Sequence, residues 1–314
     1  MNNSNEQLDF YIGVDVVKST LDLFIHPLDQ HFTIPNQPTE INKIVRVLAQ
    51  CDPKRIAVEA TGRYEHEFVF ACDRSKLPIV VVNSLQVRRF SQVLGIFAKT
   101  DKIDAQLIAR YAETINPRLK PIPDQKSRLI KDLLVRRSEL IEMQTMEKNR
   151  LKILPAAIKP SILAVLEVLS EQIKAMTSNL DQLIMESKEW REKVALLTSV
   201  PGVGNVMAYT LISDLPELGK VNRKEVAALV GVAPITRESG NWKGNRYIHG
   251  GRARVRTVMY MAMLSTIQCN PDIKAFYEHL KAAGKKPKVA IIACIRKLIV
   301  MLNTMVKNNE PWRA

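Results

Sequence analysis

The sequence predicts a chain in three parts: an α/β domain over residues 1–120, a helical coiled-coil segment over 121–194, and a mainly α-helical domain over 195–314. Three observations predict it. Strand-length apolar runs crowd the start of the chain and then alternate with helical periodicity. Apolar residues spaced by alternating steps of four and three run through the middle. The final third carries apolar helices around glycine-rich turns.

The first domain has an informative order. Phe10–Asp15 is a β-rich run, Leu21–Ile25 alternates apolar and polar residues, and His31–Ile34 fits a third short strand. Such close spacing implies hairpin-linked antiparallel strands. Then Thr39–Gln50 takes helical spacing (Ile41, Ile44, Val45, Leu48), followed by strand Arg55–Glu59, helix Tyr64–Arg74 and strand Pro78–Val82. The run Ile79–Val82 is continuously apolar, as buried parallel strands are. A three-strand meander followed by alternating helix and strand is the order of a ribonuclease-H-like fold. No glycine-rich phosphate loop occurs in this region, which argues against a nucleotide-binding P-loop or dinucleotide site.

The middle is helical over 124–152. After Pro155 and Pro160, a seam runs through Ile162, Leu166, Leu169, Ile173, Met176, Leu180 and Leu183. Sustained steps of four and three predict a coiled-coil seam, closed either as an antiparallel hairpin or against a second subunit. Next, Leu196–Ser213 reads as helix, tight turn Pro201-Gly-Val-Gly204, helix. Such a turn offers backbone N–H groups and a helix N-terminus to a phosphate, which makes Gly202 and Gly204 candidate nucleic-acid contacts; the plainer reading is a packing corner. Helices are expected at Arg252–Gln268, Pro271–Ala283 and Pro287–Val306.

Charge is distributed unevenly. The chain carries 46 Lys+Arg against 32 Asp+Glu, and residues 219–314 hold 18 of the basic but only 5 of the acidic side chains. This points to a polyanion partner, nucleic acid before membrane. Cys51, Cys72, Cys269 and Cys294 are far apart with no C-x-x-C pair, suggesting neither zinc site nor disulfide framework. The polar N-terminus is unlike a secretory signal, and Arg296 and Lys297 interrupt the longest apolar stretch. A reduced cytoplasm is the expected compartment, with no membrane partner.

Four acids in the first domain invite chemistry. Asp15 occupies a strand position that would otherwise be apolar, and Glu59 ends the next major strand. Asp101 and Asp104, three apart at the start of a helix, share a face. Adjacent central strands would set Asp15 beside Glu59, with the helix adding two more carboxylates. Such oxygen donors suit Mg²⁺, and two ions about 4 Å apart can stabilise both the attacking and leaving oxygens of a phosphodiester displacement. Taken singly, Asp101 and Asp104 also read as helix N-terminal dipole partners, and Glu59 as a surface strand end.

A second candidate site lies in residues 231–260. Ser239 sits in a Ser-Gly step, with Arg237, Lys243, Arg246, Arg252, Arg254 and Arg256 nearby in sequence. A serine attacks phosphate when its proton is removed and the phosphoryl charge is neutralised, which guanidinium groups can do. No G-x-S-x-G elbow or Ser-His-Asp arrangement is present. The alternative is a basic loop in which Ser239 only binds a phosphate.

Together, Gly-Val-Asp15, Val-Glu59-Ala-Thr-Gly, Lys-Thr-Asp101-x-x-Asp104-Ala, Val-Pro-Gly-Val-Gly204, Ser239-Gly, Gly250-Gly-Arg-Ala-Arg-Val-Arg256 and Met259-Tyr-Met-Ala262 resemble the insertion-sequence-110 family of transposases, in particular its insertion-sequence-1111 subgroup. That family includes bridge-RNA-guided recombinases and pilin-gene invertases. The resemblance implies a RuvC-like domain, a coiled coil and a C-terminal serine transposase domain. It further implies that Asp15, Glu59, Asp101 and Asp104 bind Mg²⁺ and that Ser239 is the nucleophile joined covalently to DNA. Expected partners are double-stranded DNA of the element ends and target, a noncoding guide RNA, and further copies of the chain as a dimer or tetramer. The expected location is the bacterial cytoplasm, at the nucleoid when bound to DNA.

The reading is a site-specific recombinase or transposase of a mobile element. Two alternatives stand beside it: a metal-dependent junction nuclease in which water attacks and Ser239 only binds, and a non-catalytic nucleic-acid-binding protein.

Overall fold

The computed structural model describes residues 8–240, 242–244 and 246–313, with only the backbone described for Trp242 and Lys243. The chain divides into two compact units, Met1–Ile122 and Pro123–Ala314.

The first unit is built on five strands: β1 (Tyr11–Val16), β2 (Thr20–His26), β3 (Gln30–Pro35), β4 (Arg55–Glu59) and β5 (Ile79–Val82). They lie in the order β3-β2-β1-β4-β5. β1 pairs antiparallel with β2, and β2 with β3, while β1, β4 and β5 run parallel. This is the ribonuclease-H-like arrangement expected from the element order.

Strand alternation sends side chains to two faces. Ile12, Val14, Ile56 and Val58 pack with Ile41 and Val45 of α1 (Pro38–Gln50) and Phe68 of α2 (His66–Arg74). On the opposite face, Tyr11 and Ala57 pack with Ile108, Tyr111 and Ala112 of α4 (Asp101–Ile115) and Val87 of α3 (Ser84–Val93). Helix α3 was not expected. Only Val87 is buried in it, with Phe90 packed beside it, too short an apolar stripe to stand out in sequence, and it begins where the Asn83 side chain accepts a hydrogen bond from Leu85 N.

Helix α4 lies unusually close to β1. A Cβ placed on Gly13 would stand 2.1 Å from Ala105 O and 2.3 Å from Ala109 N, both backbone atoms, so glycine is required by the approach of the helix. Gly13→Ala is therefore expected to destabilise the protein by about 3 kcal/mol, the upper end for overpacking, because a helix axis rather than a side chain must yield. Denaturant unfolding checks this; an unchanged midpoint would contradict the close contact.

The second unit is mostly helical. The helices α5 (Gln125–Ile153) and α6 (Lys159–Met185) are joined by Pro155 and a short 3-10 turn. They form an antiparallel hairpin: Lys126 pairs with Glu186, Arg137 Nε donates to Thr177 Oγ1, and Gln144 Nε2 donates to Ser170 Oγ. The predicted seam, including buried Ile162, Leu169 and Leu180, belongs to this hairpin, so the periodicity is satisfied within one chain. Ile130, Leu134, Leu180 and Ile184 also bury Tyr209 from the following helical domain. This shared cluster explains why residues 121–194 and 195–314 form one unit rather than two.

Five further long helices complete the core: α7 (Lys188–Thr198), α8 (Asn205–Asp214), α10 (Ala253–Cys269), α11 (Pro271–Ala282) and α12 (Pro287–Asn308), with α9 (Arg223–Val230) as a short one between α8 and α10. By length and composition α12 could cross a membrane. The Arg296 and Lys297 interruption does not alone exclude that, but Ile295, Leu298, Ile299 and Leu302 are fully buried in this core. Their burial accounts for the apolar character of α12 as that of an interior helix.

Candidate active site

The register β1–β4 matches Val14 with Val58, which puts Asp15 and Glu59 side by side at the ends of neighbouring parallel strands. Asp15 has the same parity as Gly13, and Glu59 the same as Ala57, so both belong to the face covered by α4. Thr100 caps α4 by accepting a hydrogen bond from Ile103 N at 3.2 Å, fixing Asp101 and Asp104 in its first turn. All four carboxylates line one cleft of about 620 Å³, whose rim includes Arg88, Lys99 and the strongly exposed Phe97.

Electrostatics distinguishes this cluster from four unrelated acids. Burial, reinforced by Glu59, Asp104 and Asp101, pushes Asp15 from 3.8 up to about 6, against a lowering hydrogen bond from Val16 N. Asp104 is also raised, first by burial and then by Glu59 and Asp101, even though Lys99 pulls the other way. A helix N-terminus by itself stabilises carboxylate and lowers its pKa. The upward shift of Asp104 reflects burial and two facing acids, the arrangement of a carboxylate cluster rather than of an isolated helix-end acid.

Two acids that sequence reasoning passed over support the site. Asp22 is the cross-strand partner of Asp15, is buried, and is held by His31 Nε2 at 3.0 Å and Thr33 Oγ1 at 2.6 Å. Buried Glu65 accepts from Thr61 N at 3.2 Å and Arg63 N at 2.9 Å, tying down the Thr-Gly loop that follows Glu59. An acid inside an alternating apolar strand was the available signal for Asp22; Glu65 had none beyond proximity to the motif.

The donor set consists of hard oxygens, and its mutual repulsion is what a divalent cation would relieve. Among the described residues, no group of three or more His, Cys, Asp or Glu side chains is gathered closely enough to hold a metal ion. The fit is therefore one of chemistry and shared cleft, not of a closed ligand shell. It has a measurable consequence. An acid raised by folding binds its proton more tightly in the folded state, so the metal-free protein loses stability as pH rises from about 4 to about 6. Millimolar Mg²⁺ is expected to raise the unfolding temperature at pH 8 and to do so much less at pH 4.5. Equal shifts at both pH values would contradict metal binding by these acids.

Ser239 occupies a different environment, in the second unit. Strands β6 (Pro234–Ile235) and β9 (Tyr247–Ile248) pair antiparallel and carry an inner ribbon of β7 (Glu238–Ser239) and β8 (Trp242–Lys243). Ser239 is exposed beside the turn at Gly240, which has φ +54°. Gly244 N donates to Arg237 O at 2.9 Å, continuing the inner register, and the Arg237 guanidinium lies 5.6 Å over the Tyr247 ring. The Lys243 backbone pairs with Glu238, while its side chain lies outside the described residues.

The later arginines have protein partners. Arg252 grips Glu217 through two bonds of 2.8 and 2.6 Å. Arg254 lies 3.0 Å from nearly buried Asp214 and donates to Lys131 O at 3.3 Å. Arg256 Nη1 donates to Gly250 O at 2.8 Å and Val230 O at 3.2 Å, clamping the entry and exit of the hairpin where Gly231 and Gly251 touch backbone to backbone. Arg237 and Arg246 are exposed. In the Pro-Gly-Val-Gly turn, Gly202 packs on Thr266 of α10, where a Cβ would come within 2.6 Å, whereas Gly204 opens to solvent at the start of α8.

With this geometry in hand, comparison with known proteins is specific. Residues 12–158 match the transposase domain of IS110 elements that is named for its DEDD acids, and residues 194–278 match the transposase family of IS116, IS110 and IS902. The pilin gene-inverting protein of Moraxella bovis is 26% identical across 96% of this chain and 97% of its own length. That of Moraxella lacunata is 27% identical over the same shares. An uncharacterised 43.6 kDa protein of insertion element IS110 from Streptomyces coelicolor is 24% identical over 65% of this chain and 48% of its own. The solved structure of T. thermophilus RuvC in complex with a Holliday junction substrate aligns with 34% of this chain and 96% of that one, at 15% identity and TM-score 0.28.

Proposed function

This chain belongs to the IS110 family of transposases and is a recombinase acting on DNA, and from that premise we propose that it cuts and rejoins the strands of an insertion sequence with two sets of residues, the acid cluster and Ser239. The observation that carries the proposal is the meeting of Asp15, Glu59, Asp101 and Asp104 in one cleft, with Asp15 and Asp104 held above their ordinary range by their neighbours.

In this reading the four carboxylates hold Mg²⁺. A bound divalent ion would supply charge neutralisation at the scissile phosphate. Thr100 and the Gly13 contact fix where α4 presents Asp101 and Asp104. Glu65 holds the loop after Glu59, so that the strand-end carboxylate faces the cleft from a rigid support. Ser239 attacks phosphorus and conserves the bond as a phosphoserine ester. Its exposed hairpin tip suits a nucleophile that must reach a DNA backbone. The basic C-terminal segment provides phosphate contacts through Gly204, Arg246 and Lys243. Gly202, Arg252, Arg254 and Arg256 serve the same surface by shaping the turn and the hairpin base.

A noncoding RNA from the element guides the choice of DNA, and the chain acts as a homo-oligomer in the cytoplasm, at the nucleoid when bound to DNA. Apolar side chains left exposed on α5 and α6, among them Met146, Ile153, Leu163 and Val168, support self-association. A monomer mass by light scattering at working concentration would overturn that part.

The test is recombination of a plasmid carrying the element with its natural flanks. Exchange is expected to require both Mg²⁺ and the element's noncoding region. Undiminished exchange in chelator would overturn the metal reading, and undiminished exchange without the noncoding region would overturn RNA guidance.

A further inference from the structure

We propose that Arg237 is the arginine that neutralises the scissile phosphate as Ser239 attacks it. This assignment rests on the serine reading above and goes beyond it by naming the catalytic cation. Two observations carry it.

The first is availability. Arg252 is engaged by Glu217, Arg254 by Asp214 and Arg256 by the backbone carbonyls at the hairpin base. To serve a phosphate, each would have to abandon a partner and leave a carboxylate or carbonyl behind. Arg237 is exposed, and among the described residues its guanidinium contact is the face of Tyr247. Stacking limits the wandering of a long side chain while leaving the N–H edge of the guanidinium plane available to oxygen acceptors.

The second is direction. Glu238 and Ser239 pair with Lys243 and Trp242, and the bond from Gly244 N to Arg237 O extends that register by one residue. Residues 237–239 are thus one extended stretch, in which positions two apart share a face. Arg237 and Ser239 lie on the same side of the ribbon. Arg246, the other exposed arginine near the hairpin, lies outside β9 and has no ring contact among the described residues.

The step balances simply. The bond from Ser239 Oγ to phosphorus forms as the bond from phosphorus to the departing DNA oxygen breaks. The serine proton passes to water, and the departing oxygen takes one from water. Arg237 remains protonated and donates two N–H groups to the non-bridging oxygens, where charge is greatest in the transition state.

The experiment captures covalent protein–DNA adducts, under denaturing conditions, from the full-length chain acting on a plasmid that bears the element with its natural flanks. Arg237→Ala is expected to lower the rate of adduct formation by about 10²–10³-fold, the loss typical of removing one charge-stabilising donor. DNA retention and thermal unfolding should stay near wild type. Arg237→Lys should recover part of the rate. A neutral methylphosphonate at the scissile position, located by sequencing the adducts, should narrow the gap between Arg237→Ala and wild type, because less charge needs neutralising. A wild-type adduct rate in Arg237→Ala would overturn the assignment, as would a loss matched by weakened DNA binding or unaffected by methylphosphonate. Adducts that persist in Ser239→Ala, or that never form with the wild type, would instead overturn the serine reading on which it depends.

Discussion

Ser239→Ala is expected to abolish covalent attachment to DNA and with it strand exchange, by about 10⁴-fold or more, as removal of an attacking nucleophile does. The same substitution should leave stability within about 0.5 kcal/mol, because the side chain is exposed beside a hairpin turn. Adduct recovery and thermal unfolding together check both halves. The hairpin is held from its base, by Arg256 and the touching glycines, not by the serine at its tip. Loss of activity therefore cannot be laid to loss of the scaffold. If the variant cleaves DNA fully but joins nothing, water is the attacking group and the protein works as a metal-dependent nuclease.

Asp15→Asn has the second large effect, and its two consequences have opposite signs. Activity should fall about 10³-fold, because a metal-assisted phosphoryl transfer loses several kcal/mol at roughly 1.36 kcal/mol per factor of ten. Stability of the metal-free protein above pH 6 should rise. Asp15 is held near 6 by burial and by Glu59, Asp104 and Asp101, so removing its charge removes a repulsion that folding works against. Well below the unfolded value of 3.8, at about pH 3, the wild-type group is protonated in both states and the difference should vanish. Unfolding temperatures of both proteins from about pH 3 to pH 8 measure this. A destabilised Asp15→Asn at pH 8 without metal would show that Asp15 is a structural acid with favourable partners rather than one member of a strained cluster.

The sequence was most readable where a single physical rule governs. Strand alternation and the tight spacing of the first three strands yielded the meander and the mixed sheet, including the side-by-side placement of Asp15 and Glu59. The seam through Ile162, Leu169 and Leu180 likewise followed from heptad spacing, although spacing could not choose between a partner subunit and α5 of the same chain. The serine hairpin was less legible, since its four strands are two residues each and leave no periodic pattern. Arginine roles were the least legible. Arg252, Arg254 and Arg256 look equivalent to Arg237 in a basic stretch, and only their distances to Glu217, Asp214 and Gly250 separate them. Similarly, nothing local to Gly13 announces that two alanines of α4 will rest against it.

The central claim of the proposed function is that Ser239 attacks the DNA phosphate and that this attack depends on the acid cluster of Asp15, Glu59, Asp101 and Asp104. Mass spectrometry of the nuclease-trimmed adduct tests it most directly. The account predicts a nucleotide mass on the peptide containing Ser239, formed by the wild type in Mg²⁺ and missing from Asp15→Asn. A nucleotide mapped to another residue, or complete cleavage with every protein peptide unmodified, would contradict it.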